Sequence, residues 1–255
     1  MGRFDGLTVL VTGATGGFGR GAAERFAAEG ARLVLSDLDA GRLDAVASSL
    51  DAETATLAGD VSDETLSRDL VALAVSRFGR LDVALNNAGI VHDMAKLPET
   101  PSEIARRVVD IDLMGVFYAM KHQLPAMERQ FRESGHRSTV VNVASVAGIA
   151  GAPRLAVYAA AKHGVVGLTR SAAAEYATRG VRINAVCPSF ARTPMVTEAL
   201  QAGDGTGEAE LTRGVPMRRL AEVDEIVEVI LFAADPKNAF MTGQTLAADG
   251  GITAV

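Results

Sequence analysis

Tyr158 and Lys162 stand four positions apart in the segment YAAAK at 158–162. Positions i and i+4 of a helix share a face, so the phenol and the ammonium are predicted to project into the same space. A neighbouring cation favours the phenolate form, and the pair can then accept a proton nearer to neutral pH than tyrosine alone does. Ser145 ends an apolar run shortly upstream. Taken alone, the same spacing also fits a half-buried ring beside a solvated amine.

The composition is typical of an ordinary globular protein. The chain has 255 residues, of which 48% are hydrophobic and 22% are charged. This length predicts one domain, 1–255, with a sizeable core. The formal net charge of -6 argues against general binding to nucleic acid or to an anionic membrane. The arginine pairs at 106–107 and 218–219 are therefore interpreted as solvated faces.

Several features predict a soluble, cytoplasmic protein. The single cysteine, Cys187, cannot form an internal disulfide and fits a reducing compartment. The amino terminus resembles neither a secretory signal nor a myristoylation motif, which would need Ser or Thr where Gly6 stands. The apolar stretches are too short to span a membrane.

Short β-branched apolar runs alternate with longer amphipathic stretches along the chain. This alternation is typical of repeated βαβ units, whose right-handed crossovers place helices on both faces of a parallel sheet. The sequence therefore predicts an α/β fold with a doubly wound parallel sheet of about seven strands. The predicted strands are 7–11, 32–36, 54–57, 81–85, 139–143, 182–186 and 244–247, and the predicted helices are about 18–29, 40–50, 63–78, 101–132, 155–179 and 222–234.

The first predicted strand leads directly into TGATGGFG at 12–19. Gly13 permits the tight turn, Gly17 lets the backbone approach a pyrophosphate, and Gly19 lets the next helix pack closely on the strand. The amino terminus of that helix offers unpaired N–H groups to phosphates. The turn therefore predicts a dinucleotide site.

Asp37 ends the second predicted strand. A carboxylate at this position can accept hydrogen bonds from the adenine-ribose hydroxyls and repels a 2′-phosphate, which favours NAD over NADP. No Arg or Lys lies beside Asp37 or in the glycine turn to reverse that preference. The alternative is that Asp37 only caps the helix that begins near Ala40.

Together these motifs resemble those of the short-chain dehydrogenase/reductase family, of the YxxxK type, over essentially the full length. Each motif alone is weak evidence, but their order and spacing are specific. The resemblance implies a single-domain Rossmann-like fold. The matching segments are TGATGGFG at 12–19, Asp37, Asp60–Val61, NNAG at 86–89, Ser145, YAAAK at 158–162, Asn184 with Pro188, Thr193, and DGG at 249–251.

The resemblance also implies a set of residues that bind the cofactor. Asp60 and Val61 would border the adenine, the loop at 87–89 would lie beneath it, and Thr193 would hold the nicotinamide carboxamide. Asn87 as a simple turn residue and Thr193 as a helix cap are the alternatives. No metal is predicted, because no cluster has ligand spacing. The predicted cofactor residues are Gly13, Thr15, Gly17, Phe18, Gly19, Asp37, Leu38, Asp60, Val61, Asn87, Ala88, Gly89, Tyr158, Lys162, Pro188, Phe190 and Thr193.

Catalytic roles follow from the same resemblance. Tyr158 would take the hydroxyl proton during alcohol oxidation and donate it during ketone reduction. Lys162 would favour the phenolate and hold the nicotinamide ribose, and Ser145 would hydrogen-bond the substrate oxygen.

Asp112 departs from the family pattern, which usually has asparagine there as the fourth catalytic residue, thought to support a water chain to the lysine. An aspartate can keep this role if the role uses the backbone carbonyl. If Asp112 is ionised near Lys162, it stabilises the ammonium but opposes the phenolate, which predicts an alkaline-shifted profile for oxidation. Alternatively, Asp112 faces elsewhere and affects only packing.

The predicted activity is the interconversion of a secondary alcohol and a ketone with NAD(H). The segments expected to line the substrate pocket are largely apolar, which suits a small hydrophobic substrate. They include 92–94, 146–153 and a lid at 190–217, in which 201–208 is rich in glycine. Arg154 could anchor an acid but is interpreted as an exposed arginine without a partner.

Two other functions remain open. One is a 3-oxoacyl-carrier-protein reductase, against which Asp37 weighs because those enzymes usually take NADPH. The other is a dinucleotide-binding sensor or scaffold without turnover, which the intact Ser145, Tyr158 and Lys162 disfavour. The resemblance further implies a homotetramer formed through the helices at about 101–132 and 155–179 and the carboxyl-terminal strand.

Overall fold

A computed structural model describes residues 2–194, 196–197 and 207–255. These residues form a seven-stranded sheet in the order β3-β2-β1-β4-β5-β6-β7, and the neighbouring strands are parallel. The predicted doubly wound parallel sheet is thereby confirmed. The strands are β1 (Thr8–Thr12), β2 (Arg32–Ser36), β3 (Thr54–Thr56), β4 (Val83–Asn86), β5 (Ser138–Val143), β6 (Val181–Pro188) and β7 (Thr245–Ala248).

The helices cover both faces of this sheet. Buried apolar side chains of α1, α2 and α8 pack against one face, and those of α3, α5 and α6 pack against the other. No helix in the described ranges is long and apolar enough to cross a membrane. The helices are α1 (Gly17–Ala28), α2 (Ala40–Ser49), α3 (Glu64–Phe78), α4 (Ser102–Val109), α5 (Gly115–Ser134), α6 (Ala156–Tyr176), α7 (Glu208–Leu211) and α8 (Val223–Ala234).

The strand order reverses between β1 and β4. From β1 the chain winds outward to β3, and it then returns to place β4 on the other side of β1. Ligands of open parallel sheets bind at such a switch point, at the carboxyl ends of the strands. The loops that follow β1 and β4 carry the glycine turn and NNAG, so the topology brings these two motifs together.

The predicted helix 101–132 is interrupted in the structure. A π turn, Asp110–Met114, separates α4 from α5. Asp112 lies in this turn, where its side chain accepts a hydrogen bond from the Ile90 amide at 2.8 Å. A tertiary contact therefore accompanies the departure from regular helix, as is common for π turns near functional sites. Of the predicted lid at 190–217, Met195 and residues 198–206 lie outside the described residues.

A buried layer of polar side chains joins β4 and β5 to the helices behind them. The Asn86 amide donates to Gln123 at 3.2 Å and to Asn142 at 2.9 Å, and Gln123 donates back to Asn86 at 2.8 Å. The Asn142 amide donates to the Thr169 hydroxyl at 2.9 Å. All four residues are at most 3% exposed. This layer fixes the ends of β4 and β5 directly beneath the loops that follow them.

We predict that Asn142→Leu lowers the free energy of unfolding by about 1–3 kcal/mol, because it removes the partners of two buried polar groups. The measurement is urea denaturation followed by circular dichroism. Ser76→Ala is the control, because that exposed hydroxyl donates to the Leu73 carbonyl in its own helix and its loss is expected to cost under about 0.5 kcal/mol. Equal stability of Asn142→Leu and wild type would show that the layer does not hold the sheet.

Candidate active site

A cleft open to solvent, with an empty volume of about 1470 Å³, runs along the carboxyl ends of the strands. It contains every residue predicted to bind cofactor or to act in catalysis, except Gly19 and Phe190. Gly19 packs beneath the glycine turn, and the backbone carbonyl of Phe190 accepts a hydrogen bond from Ala221 at 3.0 Å. The lining residues are Gly13, Thr15, Gly16, Gly17, Phe18, Asp37, Leu38, Arg42, Gly59, Asp60, Val61, Asn87, Ala88, Gly89, Ile90, Arg107, Ile111, Asp112, Val143, Ala144, Ser145, Tyr158, Lys162, Pro188, Ser189, Thr193 and Pro194.

The glycine turn has the geometry of a phosphate cradle. Gly13 has a φ of +66°, and Gly17 has a φ of +29°. A Cβ at Gly17 would lie 2.8 Å from Thr193, and one at Gly19 would overlap the Gly13 carbonyl oxygen. No side chain caps the amino terminus of α1. The first-turn amides of α1 therefore remain available to an anion in the cleft, which fits the pyrophosphate of a dinucleotide.

Asp37 is bound to the glycine turn. The backbone amide and the hydroxyl of Thr15 both donate to Asp37 Oδ2 at 2.8 Å, and the Leu38 amide donates to Oδ1 at 2.8 Å. The cap of α2 is Asp39, which accepts from the Arg42 amide at 3.0 Å. The alternative role of Asp37 as that cap is therefore wrong. Leu38 is 62% exposed and offers an apolar surface at the mouth of the cleft.

Asn87 joins the loops after β1 and β4. Its side-chain amide donates to the carbonyl oxygens of Thr12 at 3.0 Å and Gly13 at 3.2 Å. In return, the Thr12 hydroxyl accepts from the Asn87 and Ala88 amides at 3.1 and 3.2 Å. These four hydrogen bonds set the spacing of the two loops, so Asn87 is more than a simple turn residue.

Asp60, for which the resemblance implies a place beside the adenine, lines the cleft. Partial burial raises the pKa of Asp60, but the amide and hydroxyl of Ser62, which donate at 2.9 and 2.7 Å, outweigh it and lower the pKa below its usual value. The side chain is therefore a carboxylate at neutral pH.

Ser145, Tyr158 and Lys162 line the same cleft. Lys162 Nζ lies 5.6 Å from the centroid of the Tyr158 ring, one helical turn away on α6. It also donates to the Val143 carbonyl at 3.2 Å. Ser145 Oγ accepts from the Ala147 amide at 3.1 Å, which leaves its own proton free to donate into the cleft. A phenol, a hydroxyl and an ammonium therefore border one space.

Asp112 faces Lys162. Asp112 Oδ2 lies 3.4 Å from Lys162 Nζ, and the two residues are 0% and 3% exposed. Among the described residues, no donor hydrogen-bonds this Oδ2. Burial alone would lower the pKa of Lys162, but the charge of Asp112 outweighs it and raises the pKa, so the ammonium persists. Burial raises the pKa of the Asp112 carboxyl, and this effect is larger than the lowering of that pKa by the Lys162 ammonium.

Two arginines that were not predicted as site residues, Arg42 and Arg107, line the cleft. Arg42 Nη2 lies 3.4 Å from the Thr15 carbonyl oxygen, so a cation does lie near Asp37. Arg107 also lines the cleft, and it is exposed, as is Arg106, in agreement with the interpretation of 106–107 as a solvated face. The one sequence signal for Arg107 was its place on the predicted helix that also carries Asp112.

Arg154 connects two loops next to the catalytic residues. Its guanidinium donates to the Met94 carbonyl at 3.1 Å, and its own carbonyl accepts from the Ala95 amide at 3.0 Å. The interpretation of Arg154 as lacking a partner is therefore wrong. The backbone of Arg154 has a φ of +68°, a left-handed conformation that is unfavourable for arginine. His92, in the facing loop, is 8% exposed and its Nδ1 contacts the Asp93 carbonyl.

Neither thiol nor metal chemistry is evident in the described ranges. Burial raises the pKa of the Cys187 thiol to about 11, so the group stays protonated at neutral pH. The described residues contain no group of three or more His, Cys, Asp or Glu side chains that could hold a metal ion.

The chain is similar to known oxidoreductases over its whole length. A family profile described as enoyl-(acyl carrier protein) reductase matches residues 13–253. The 2,5-dichloro-2,5-cyclohexadiene-1,4-diol dehydrogenase of Sphingobium indicum is 38% identical, with 100% of both chains covered. The cyclohexanol dehydrogenase of an Acinetobacter species is 35% identical, with 98% of this chain and 96% of the relative covered.

Solved structures show the same agreement. The crystal structure of levodione reductase superposes with a TM-score of 0.92 at 37% identity and covers 99% of each chain. The 3-ketoacyl-(acyl-carrier-protein) reductase of Brucella melitensis, solved with NADH, gives a TM-score of 0.90 at 32% identity and covers 98% of this chain and 99% of that one. The cleft of this chain contains residues of the glycine turn, of NNAG and of YAAAK. Together with these matches, this arrangement shows that the chain belongs to the short-chain dehydrogenase/reductase family.

Proposed function

We propose that this chain is an NAD(H)-dependent oxidoreductase that interconverts a secondary alcohol and a ketone. The observation that carries the proposal is that Ser145, Tyr158 and Lys162 border the same cleft as the uncapped amino terminus of α1. A cradle for phosphate and a group able to move a proton therefore share one space.

Each catalytic side chain has one role in the proposed reaction. When bound, NAD accepts the two electrons and the hydrogen that leave the carbinol carbon as a hydride. The Tyr158 phenolate takes the proton of the substrate hydroxyl, while the Ser145 hydroxyl donates a hydrogen bond to the same oxygen. Lys162, held as an ammonium, stabilises the negative charge on Tyr158. In the reverse direction, the Tyr158 phenol returns the proton to the ketone oxygen.

We propose a small hydrophobic substrate with an alicyclic secondary alcohol or ketone. Two relatives are named for the oxidation of ring alcohols, a cyclohexadiene diol and cyclohexanol. In this chain, Ile90, Val143 and Pro188 line the cleft that contains the catalytic side chains. Apolar side chains in a catalytic cleft favour a substrate with little charge.

Asp37 supports NAD as the preferred cofactor. Its carboxylate lines the cleft beside Thr15, where it is placed to accept ribose hydroxyls and to repel a 2′-phosphate. Asp37 separates the chain only weakly from 3-oxoacyl-carrier-protein reductases, because the Brucella 3-ketoacyl-(acyl-carrier-protein) reductase was solved with NADH. Oxidation of NADH with cyclohexanone and with an acetoacetyl thioester distinguishes the two substrate classes.

The homotetramer and the cytoplasmic location stay predictions. Ile104 on α4 and Phe117 on α5 are 36% and 40% exposed, and they lie on helices that the resemblance assigns to a subunit interface. Their exposure supports an interface on this face.

We predict that Tyr158→Phe lowers kcat about 10³-fold and leaves the Kd for NADH within about twofold, because only the proton-transfer group is removed. The assay is alcohol-dependent reduction of NAD, paired with calorimetric titration of NADH. Tyr176→Phe is the control, because Tyr176 ends α6 outside the cleft. Wild-type protein that binds NADH tightly but turns over neither ring ketones nor thioesters would instead support the non-catalytic sensor.

For Asp112→Asn, we expect the pH midpoint at which oxidation accelerates to fall by about one unit, because a negative charge that opposes the phenolate is removed. The measurement is the pH dependence of kcat/KM for alcohol oxidation. Asp110→Asn, in the same π turn but exposed, should leave the midpoint in place. An unchanged midpoint in Asp112→Asn, with NADH binding intact, would exclude an electrostatic role of Asp112.

A further inference from the structure

Another cavity lies at the edge of the sheet opposite the catalytic cleft. It is open to solvent, has an empty volume of about 940 Å³, and is bordered by residues at or beside the amino-terminal ends of β1, β4, β5 and β6. None of the residues that line the catalytic cleft lines this cavity. The lining residues are Leu7, Arg80, Asp82, Val83, Phe131, Gly135, His136, Arg137, Thr139, Arg182, Ala234, Pro236 and Ala239.

Arg182 is the most buried cation of this cavity, at 7% exposed. Its guanidinium donates to the Thr139 hydroxyl at 2.8 Å and to the backbone carbonyls of Asp235, Met241 and Ala233 at 3.0, 3.1 and 3.4 Å. These acceptors are neutral, and in the described part of the chain no carboxylate lies within 4.0 Å of the guanidinium. Burial lowers the pKa of Arg182, and the more distant charge of Asp235 offsets only part of this effect. Arg182 is therefore a buried charge without a direct counter-charge, which is unfavourable.

Among the lining residues, Asp82 carries the only carboxylate, and its oxygens are already bonded. Oδ1 accepts from the Arg80 guanidinium at 2.6 Å and from the Gln130 amide at 3.1 Å, and Oδ2 accepts from the Thr8 amide at 2.9 Å. Asp82 therefore neutralises Arg80 and no other cation of the cavity. The Arg80 Nε–H is buried and has no acceptor among the described residues, so even this paired arginine keeps an unused donor.

Arg137 brings a further cation to this cavity. It lies in the loop between α5 and β5 and is exposed, and within the described ranges it has no carboxylate within 4.0 Å. With Arg80 neutralised, Arg137 and Arg182 give the lining an excess of two positive charges. A guanidinium can form two parallel hydrogen bonds to a phosphate. The lining therefore has the charge and the donors that a divalent phosphate requires.

We propose that this cavity binds a small organic phosphate ester, at the opposite edge of the sheet from the catalytic cleft. The phosphate group binds Arg137 and supplies the counter-charge that Arg182 lacks. The carbon part of the ligand contacts the apolar side chains of the lining, among them Leu7, Phe131 and Pro236. Because the acceptors of Arg182 belong to β5 and to the end of α8 and the segment after it, the bound ligand also stabilises the folded chain.

Calorimetric titration with phenyl phosphate tests this proposal without catalysis. The titration is made with and without saturating NADH, because the amino terminus of α1 in the cleft also suits a phosphate. In Arg137→Ala, we expect the Kd for phenyl phosphate to rise about tenfold and the Kd for NADH to stay within about twofold. Arg137 is varied rather than Arg182, whose hydrogen bonds also hold the segment after α8. Arg132→Ala is the matched control, because this exposed arginine on α5 pairs with Glu128 and does not line the cavity.

Three further probes test the chemistry of the ligand at equal ionic strength. We expect phenyl phosphate to bind more tightly than inorganic phosphate or benzoate, and sodium chloride not to displace it. Equal Kd values for wild type and Arg137→Ala would overturn the site, as would loss of phenyl phosphate binding when NADH is added. Benzoate that binds as tightly as phenyl phosphate would overturn the choice of phosphate. A wild-type chain that does not bind NADH would instead overturn the proposed function, and the comparison made without NADH would still test this cavity.

Discussion

Lys162 is 3% exposed, and a buried ammonium is unfavourable by several kcal/mol unless charged and hydrogen-bonding partners surround it. Its partners come from separate parts of the chain. The Val143 carbonyl ends β5, and the Asp112 carboxylate comes from the π turn. The loop after β4 also packs closely on the ammonium, because a Cβ at Gly89 would lie only 3.2 Å from Nζ. The position of the Lys162 ammonium therefore depends on the relative placement of β5, the π turn and the loop after β4.

Other buried polar side chains connect Lys162 and its partners to the end of the cleft that carries the glycine turn. Asn142 precedes Val143, and its side chain is bonded to Asn86 and Thr169 in the layer behind the cleft. Asn86 precedes Asn87, which binds the backbone of the glycine turn. A continuous set of hydrogen bonds thus runs from α6 through β5 and β4 to β1. The proton-transfer end and the phosphate end of the cleft are held by the same central strands.

The sequence was sufficient to predict the features that depend on local pattern. Alternating strands and helices predicted the parallel sheet, and the glycine turn needed only consecutive residues. Features that depend on distant contacts were not predictable. The π turn at Asp112 accompanies a hydrogen bond from Ile90 and an ion pair with Lys162. The partner of Arg154 is a backbone carbonyl, that of Met94. Arg42 carries no local pattern that distinguishes it from a solvated arginine, so only the fold shows its place beside Thr15.

The decisive experiment is a crystal structure with NAD and a ring alcohol, because it locates both substrates relative to Lys162 and its neighbours. We predict the pyrophosphate at the amino terminus of α1 and the nicotinamide near Thr193. The alcohol oxygen is then expected within about 2.6–3.2 Å of both Tyr158 and Ser145, the reach needed for proton transfer. An alcohol oxygen directed away from Tyr158, or a dinucleotide bound outside this cleft, would contradict the account.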